Sequence, residues 1–255
     1  GREYKNYLAK NKNNLFYSSM EKVYQKLNLK MPEFKIDMEI NIPLSRGLGS
    51  SSSAIVAGVF AANHFLNNQL TKAEMLNIAN QIEGHPDNVS PCLMGGAIIS
   101  MSENNQVYTQ TIAIKNKFDF IAVIPDFELS TKEARKVLPA KIDFADSIFN
   151  SSRLAFLITS LMSGDNQLTS IALKDKLHEQ YRGKLIKGFE EVKSAAIDNG
   201  AIGSVLSGAG PTIMVLAENN AQQIAEKMQE KWLTFGIKSR YEILSVDYQG
   251  CKIKD

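Results

Sequence analysis

The sequence predicts an α+β protein, and three observations carry that prediction. Its 255 residues are enough for one large domain or two modest ones with a substantial core. Its second half runs strand, helices, hairpin, helix, strand, the order of an α/β sandwich. The polar turn IKNK, residues 114–117, interrupts two strand-like runs. That turn puts a domain boundary between Gln110 and Phe118.

The elements follow from patterning. From Leu15 to Leu29, the apolar residues Phe16, Met20, Val23, Tyr24 and Leu27 recur at three and four residue spacings, one face of an amphipathic helix. Phe34–Ile42 (FKIDMEINI) alternates apolar and polar, which predicts a half-buried strand ended by Pro43. Ala54–Leu66 is small or apolar nearly all round, so it predicts a helix buried on most sides. Thr71 with Glu74 three residues on is a capping box that opens a helix to about Glu83, stopped by Gly84 and Pro86. The segment EGHPDNVSP and a glycine pair lead into an apolar strand, Gly95–Ser100.

The second half opens with the buried strand Phe118–Ile124, closed by Pro125. Ser130 and Glu133 form another capping box, for a short helix ending near Leu138 and Pro139. Helical spacing returns over Phe149–Met162 and Lys184–Asp198, the latter stopped by Gly200. Ile202–Leu206 and Thr212–Leu216 read as strands joined by SGAGP in a tight hairpin. A helix over Ala221–Lys231 and a strand over Tyr241–Val246 complete the pattern.

Composition excludes more than it identifies. A hydrophobic fraction of 44%, a charged fraction of 22% and a formal net charge of +2 give no field that argues for nucleic acid or a membrane surface. Any anionic ligand must therefore be held by local geometry. Cys92 and Cys251 match no zinc or redox spacing, which predicts two unpaired thiols in a reducing compartment. No apolar run approaches the roughly 18 residues of a membrane span. The polar start GREYKNYLAKNKNN is no secretory signal. A soluble cytoplasmic protein is expected.

The stretch PLSRGLGSSSSA, from Pro43 to Ala54, carries the chemistry. Glycines let backbone N–H groups approach an anion, and the first turn of a following helix adds free N–H groups and its dipole. Serine hydroxyls at a helix start can cap it, contact phosphate or sit on Mg²⁺. The lysine of the common P-loop pattern is lacking, which sets that family aside. Taken alone, the stretch is better read as a flexible turn and a helix cap.

Its context changes that reading. PLSRGLGSSSSA resembles the phosphate loop of the GHMP kinases, a family of ATP-dependent small-molecule kinases. EGHPDNVSPCLMGG is similar to that family's acidic segment, and LSGAGPT, Leu206–Thr212, to its late glycine-rich turn. Two further segments, IPDFELSTKEARKVLP and HEQYRGKLIKGF, resemble the branch that phosphorylates L-homoserine. The resemblance implies a two-domain GHMP kinase fold. Residues 1–115 would form a ribosomal S5 domain 2-like half, and residues 116–255 a ferredoxin-like α/β sandwich.

The resemblance also implies roles. Pro43, Leu44, Ser45, Arg46, Gly47, Leu48, Gly49, Ser50, Ser51, Ser52 and Ser53 would hold ATP. Glu83 would bind Mg²⁺ with a loop serine, Ser51 first, with Ser50 and Ser52 open. Asp87 is a candidate general base or a helix-start cap. The homoserine branch works without a dedicated base, and Asn88 would contact the substrate instead. Thr131 and Arg135, four residues apart on one helical face, would contact homoserine together with Arg182 and Gly208. His64, His85 and His178 have no metal spacing, and Cys92 reads as a small core residue.

The sequence opens on Gly1, and the asparagine- and aspartate-bearing segment that begins related kinases has no counterpart before Tyr4. A few dozen residues, part of the amino-group pocket and a sheet edge are therefore expected to be absent. The predicted activity is ATP-dependent phosphorylation of the L-homoserine hydroxyl for threonine synthesis, with a homodimer as a further expectation. A GHMP kinase acting on mevalonate or a sugar, and a nucleotide-binding paralogue without catalysis, are the alternatives.

Overall fold

The computed structural model describes residues 14–115 and 117–254. Expectations resting on the first 13 residues, the absence of a signal and the missing opening segment, lie outside the described residues. In chain order the helices and strands are α1 Leu15–Lys26, α2 Ser50–Phe65, α3 Lys72–Glu83, α4 Pro86–Met94, β1 Ala97–Glu103 and β2 Gln106–Ile112. They continue with β3 Asp119–Pro125, α5 Thr131–Lys136, α6 Phe144–Ser163, α7 Asn166–Ala172, α8 Glu179–Arg182 and a 3₁₀ turn Gly183–Leu185. The chain closes with α9 Phe189–Asp198, β4 Gly203–Leu206, β5 Ile213–Ala217, α10 Ala221–Thr234 and β6 Ser239–Leu244.

The chain divides into two compact units. The first holds the described residues up to Pro43, Gly49–Ile112 and those from Val246 on; the second holds Leu44–Leu48 and Ala113–Ser245. The expected boundary at residues 115 and 116 took neither exchange into account. Gly96 N–H donates to the Asp247 carbonyl at 2.7 Å, and a Cβ on Gly95 would meet the Gly250 nitrogen at 2.5 Å. These contacts seat the terminal segment in the first unit.

In the first unit, α2 is the central element. Ile55, Val56, Val59 and Ala62 are buried, and they pack with Met20 and Val23 of α1 and Leu76 and Ile78 of α3. Each of these apart from Ala62 contributes about 1.5–3 kcal/mol on burial. Gly58 lets α1 come close, since a Cβ there would lie 2.3 Å from the Phe16 carbonyl oxygen. β1 and β2 pair antiparallel from Ala97↔Ile112 to Glu103↔Gln106. Asn104 and Asn105, at φ 50° and 61°, make the two-residue turn between them.

Three local expectations are corrected here. Phe34–Ile42 pairs with no strand among the described residues. Phe34 and Ile36 pack against the core while Lys35, Asp37 and Glu39 face solvent, so the alternation reported two faces without a ladder partner. α2 begins at Ser50, four residues before the apolar run, because serine, which can bond to nearby backbone, is tolerated in a first turn whose N–H groups have no partner within the helix. α4 has no counterpart among the expected elements, although Pro86 at its first position and Asp87 in its first turn are helix-start signals; Pro91 inside it works against a helical reading.

The second unit has the β-α-β-β-α-β order of a ferredoxin-like sandwich, with strand order β4-β5-β3-β6 and every pairing antiparallel. Strand β3 lies between β5 and β6, with Ile121 opposite Val215 on one side and Ile243 on the other. This central position explains its unbroken apolar run. Phe189, Val192 and Ala196 of α9 and Ile224, Met228 and Trp232 of α10 complete the core. The helix expected over Lys184–Asp198 is split at Gly188, whose φ of 75° is left-handed and whose would-be Cβ meets the Phe235 ring at 2.5 Å. The connection between β4 and β5 is longer than a tight hairpin, closed by Ser207 N–H to the Thr212 carbonyl at 2.9 Å.

Candidate active site

The glycine-serine loop is shared between the two units: Leu44–Leu48 belong to the second, Pro43 and the residues from Gly49 on to the first. In the second unit, each carbonyl from Leu44 to Gly47 is fastened. Leu44 accepts from Arg46 Nη1 at 3.3 Å, Ser45 from Leu129 N–H at 3.3 Å, Arg46 from Thr212 N–H at 3.4 Å and Gly47 from Ser207 Oγ at 2.8 Å. Arg46 is not extended toward a ligand. Its Nε and Nη2 donate to the carbonyls of Pro125 and Asp126 at 3.1 and 3.2 Å, and Glu128 lies 3.6 Å from Nη1. The arginine anchors the loop to the end of β3.

In the first unit, Gly49 caps α2 with φ 73° and no side-chain hydrogen bond, so the first-turn N–H groups of Ser50, Ser51 and Ser52 have no cap from Gly49. That arrangement attracts an anion. Ser51 Oγ donates to Glu83 Oε2 at 2.8 Å and Ser52 Oγ to Glu83 Oε1 at 2.9 Å. Ser52 is buried at 2% exposure, whereas Ser51 faces solvent. Glu83 is the last residue of α3, set there by the Thr71–Glu74 capping box at one end and the left-handed Gly84 at the other.

Asp87 and Asn88 occupy the first turn of α4. Asp87 Oδ1 is hydrogen-bonded to His85 Nδ1, and Asn88 Nδ2 donates to Asp87 Oδ2 at 3.5 Å. Asn88 Oδ1 stands 3.9 Å from where a Cβ on Gly49 would lie. These residues therefore adjoin the start of α2.

The second unit brings Arg135, Arg182 and Gly208 together. Ser130 and Glu133 form both bonds of the expected capping box, which starts α5 at Thr131. Arg182 Nε donates to the Ala134 carbonyl at 3.2 Å and Nη1 to the Gly208 carbonyl at 3.0 Å. Burial, and then the charge of Arg135, lower the pKa of the Arg182 guanidinium, with Asp175 opposing them. Two cations close enough to repel one another form a site that an anion would relieve. Thr131 shares the helical face of Arg135.

Burial pushes the Asp175 carboxyl up, but the N–H groups of Glu179 and His178, the Asn150 amide and the His178 charge bring it below its ordinary value. Sequence reasoning missed Ser207, Glu179 and the anchoring of Arg46. Ser207 and Glu179 lie within quoted motifs, yet nothing in their spacing marks them, because their partners are distant in sequence.

Among the described residues, no group of three or more histidine, cysteine, aspartate or glutamate side chains could hold a metal, and no helix is long and apolar enough to cross a membrane. Cys92 and Cys251 are both free thiols.

Residues 14–96 match the family model of the GHMP kinases N terminal domain, and residues 157–233 that of the GHMP kinases C terminal domain. The homoserine kinase of Desulfitobacterium hafniense is 39% identical over 241 residues, 94% of this chain and 81% of the relative. That of Clostridium beijerinckii is 41% identical over 244 residues, 95% of this chain and 82% of the relative. The crystal structure of homoserine kinase from Cytophaga hutchinsonii superimposes with a TM-score of 0.85 at 29% identity, covering 97% of this chain and 81% of that one. An L. major mevalonate kinase with R-mevalonate shares the fold, at a TM-score of 0.66 and 18% identity over 96% of this chain and 79% of that one. With both family models matched in order and relatives of about this identity along nearly all of its length, the chain belongs to the GHMP kinases, in their homoserine kinase branch, and is an ATP-dependent small-molecule kinase.

Proposed function

We propose that the chain transfers the γ-phosphoryl group of ATP to the side-chain hydroxyl of L-homoserine, giving O-phospho-L-homoserine for threonine synthesis. The observation that supports this acceptor is Arg182 held to the carbonyls of Gly208 and of Ala134, the chain neighbour of Arg135, a cationic site suited to a carboxylate. Thr131 and Asn88 are assigned polar contacts with the amino acid. Residues from Pro43 to Ser53 are assigned to ATP, Arg46 by holding the loop rather than by its own guanidinium, with the N–H groups at the start of α2 facing phosphate.

Ser51 Oγ and Glu83 Oε2 are hard oxygen donors 2.8 Å apart, and Ser51 is exposed, which fits Mg²⁺ completed by phosphates and waters. When bound, the ion would neutralise charge on the transferring phosphate. Ser52, buried on the other carboxylate oxygen, orients Glu83. In the transfer, the acceptor oxygen bonds to the γ-phosphorus as the bond to the bridging oxygen of ADP breaks, and the hydroxyl proton leaves to solvent or phosphate. A loose transition state leaves little negative charge on the nucleophile, so Asp87 is assigned no base role. Its hydrogen bond to His85 accords with a part in the turn that starts α4.

The cytoplasm and a homodimer belong to the same reading. The two free thiols favour a reducing compartment. Exposed Phe144, Ile148 and Leu154 along α6, at 81%, 55% and 60%, favour a second copy, which sedimentation would detect as a dimer.

The test of the reaction is ADP release with L-homoserine, mevalonate, galactose or no acceptor. Turnover with homoserine alone is expected. Turnover with mevalonate or galactose would replace the acceptor, and ATP binding without turnover on any of them would favour the non-catalytic paralogue.

A further inference from the structure

We infer that Glu179 is the positioning residue that sets Arg182 for the acceptor carboxylate, an inference that rests on the homoserine reading above. Glu179 is charged yet only 7% exposed, and it opens the single turn of α8 that ends at Arg182. Its Oε1 accepts the Leu206 N–H at 2.6 Å, and its Oε2 accepts Lys193 Nζ at 2.5 Å. Its own N–H, with that of His178, donates to Asp175 Oδ1 at 2.7 Å.

Leu206 ends β4, an edge strand of the sheet, immediately before the turn that carries Ser207 and Gly208. α8 is thus joined to that turn at two points. Glu179 holds its base through Leu206, and Arg182 holds its tip through the Gly208 carbonyl. The other N–H of Arg182 reaches Ala134, the neighbour of Arg135. A four-residue helix has too few internal hydrogen bonds to fix its own orientation. The buried carboxylate, neutralised by Lys193, supplies that orientation from outside.

Removing one partner of a buried ion pair leaves the other charge uncompensated and destabilises the fold, so the stability of each variant is measured and the inference is read from the split between the two KM values. Misplacing a binding group by about 1 Å can cost about a hundredfold in rate. Glu179→Gln keeps an oxygen for Leu206 and removes the charge partner of Lys193. It is expected to raise KM for L-homoserine by about tenfold while KM for ATP stays within about twofold. Lys193→Met, which removes the ion partner from the opposite side, is expected to act the same way and serves if the first variant does not fold.

Arg182→Lys is measured beside them. A selective rise in homoserine KM for both Arg182→Lys and the Glu179 or Lys193 variant supports the inference. A rise for Arg182→Lys alone overturns it and leaves the acceptor reading standing. No rise for any variant overturns both, and equal rises in the two KM values reduce Glu179 to a residue of general stability.

Discussion

Gly47 lies against Ser207 so closely that a Cβ on the glycine would come within 2.1 Å of the serine carbonyl oxygen, while the Gly47 carbonyl accepts Ser207 Oγ at 2.8 Å. The contact ties the first half of the glycine-serine loop to the late glycine-rich turn, both within the second unit. Gly47→Ala must therefore move backbone as well as adopt φ +73°. A cost toward the upper end of about 1–3 kcal/mol is expected in urea denaturation, with a raised KM for ATP. Gly84→Ala, at φ +91° with nothing within 4 Å, is the comparison and meets the conformational strain alone.

The two serines on Glu83 should separate by experiment. Ser52→Ala leaves a buried site with one hydrogen bond fewer, and a loss of about 1 kcal/mol in stability is expected. Ser51→Ala, on the exposed side, should change stability little and lower kcat most at limiting Mg²⁺. Equal Mg²⁺ dependence in the two variants would remove Ser51 from the metal site.

Acid should loosen both capping boxes. The Thr71 backbone N–H, and then its side chain, hold the Glu74 carboxyl below its ordinary 4.5; the Ser130 side chain, and then its backbone N–H, do the same for Glu133. Each folded-state value lies below the unfolded one, so the contribution is present above pH 4.5 and is lost as pH falls through the folded value. Urea midpoints measured from pH 6 down to about pH 3 should fall in that window. Glu74→Gln with Glu133→Gln, which keeps the caps without a titrating group, should flatten part of the fall.

Cys92 should resist alkylation. Burial, and then the neighbouring Cys251, push its thiol up to about 11, and burial raises Cys251 as well. At neutral pH the reactive thiolate is correspondingly scarce. Iodoacetamide is expected to modify both thiols slowly in the native protein and quickly in urea. Rapid native labelling of Cys92 would contradict its position in α4.

Local signals were legible wherever short-range physics decides. The Thr71–Glu74 and Ser130–Glu133 boxes start α3 and α5 as their spacing predicts, because the bonds lie within one turn. The apolar run at Phe118–Ile124 marked a buried strand, and Ile121, Ala122 and Val123 are buried with both edges of the strand paired. Phe34–Ile42, which has no ladder partner among the described residues, shows the converse. Alternation reports which side chains face the core, whereas a strand also needs a neighbour, and that neighbour is a property of the rest of the chain.

The candidate site divides along the same line. Sequence by itself determined the residue types: a glycine-serine loop before a buried helix, a glutamate ending the next helix, and arginines in STKEAR and HEQYR. Their order along the chain determined the family. Only the tertiary structure decided that Ser51 and Ser52 share one carboxylate, that Arg46 anchors backbone carbonyls, and that Glu179 is buried between Lys193 and Leu206. Each of these rests on hydrogen bonds between residues distant in sequence, whose geometry is set by packing that no local pattern encodes.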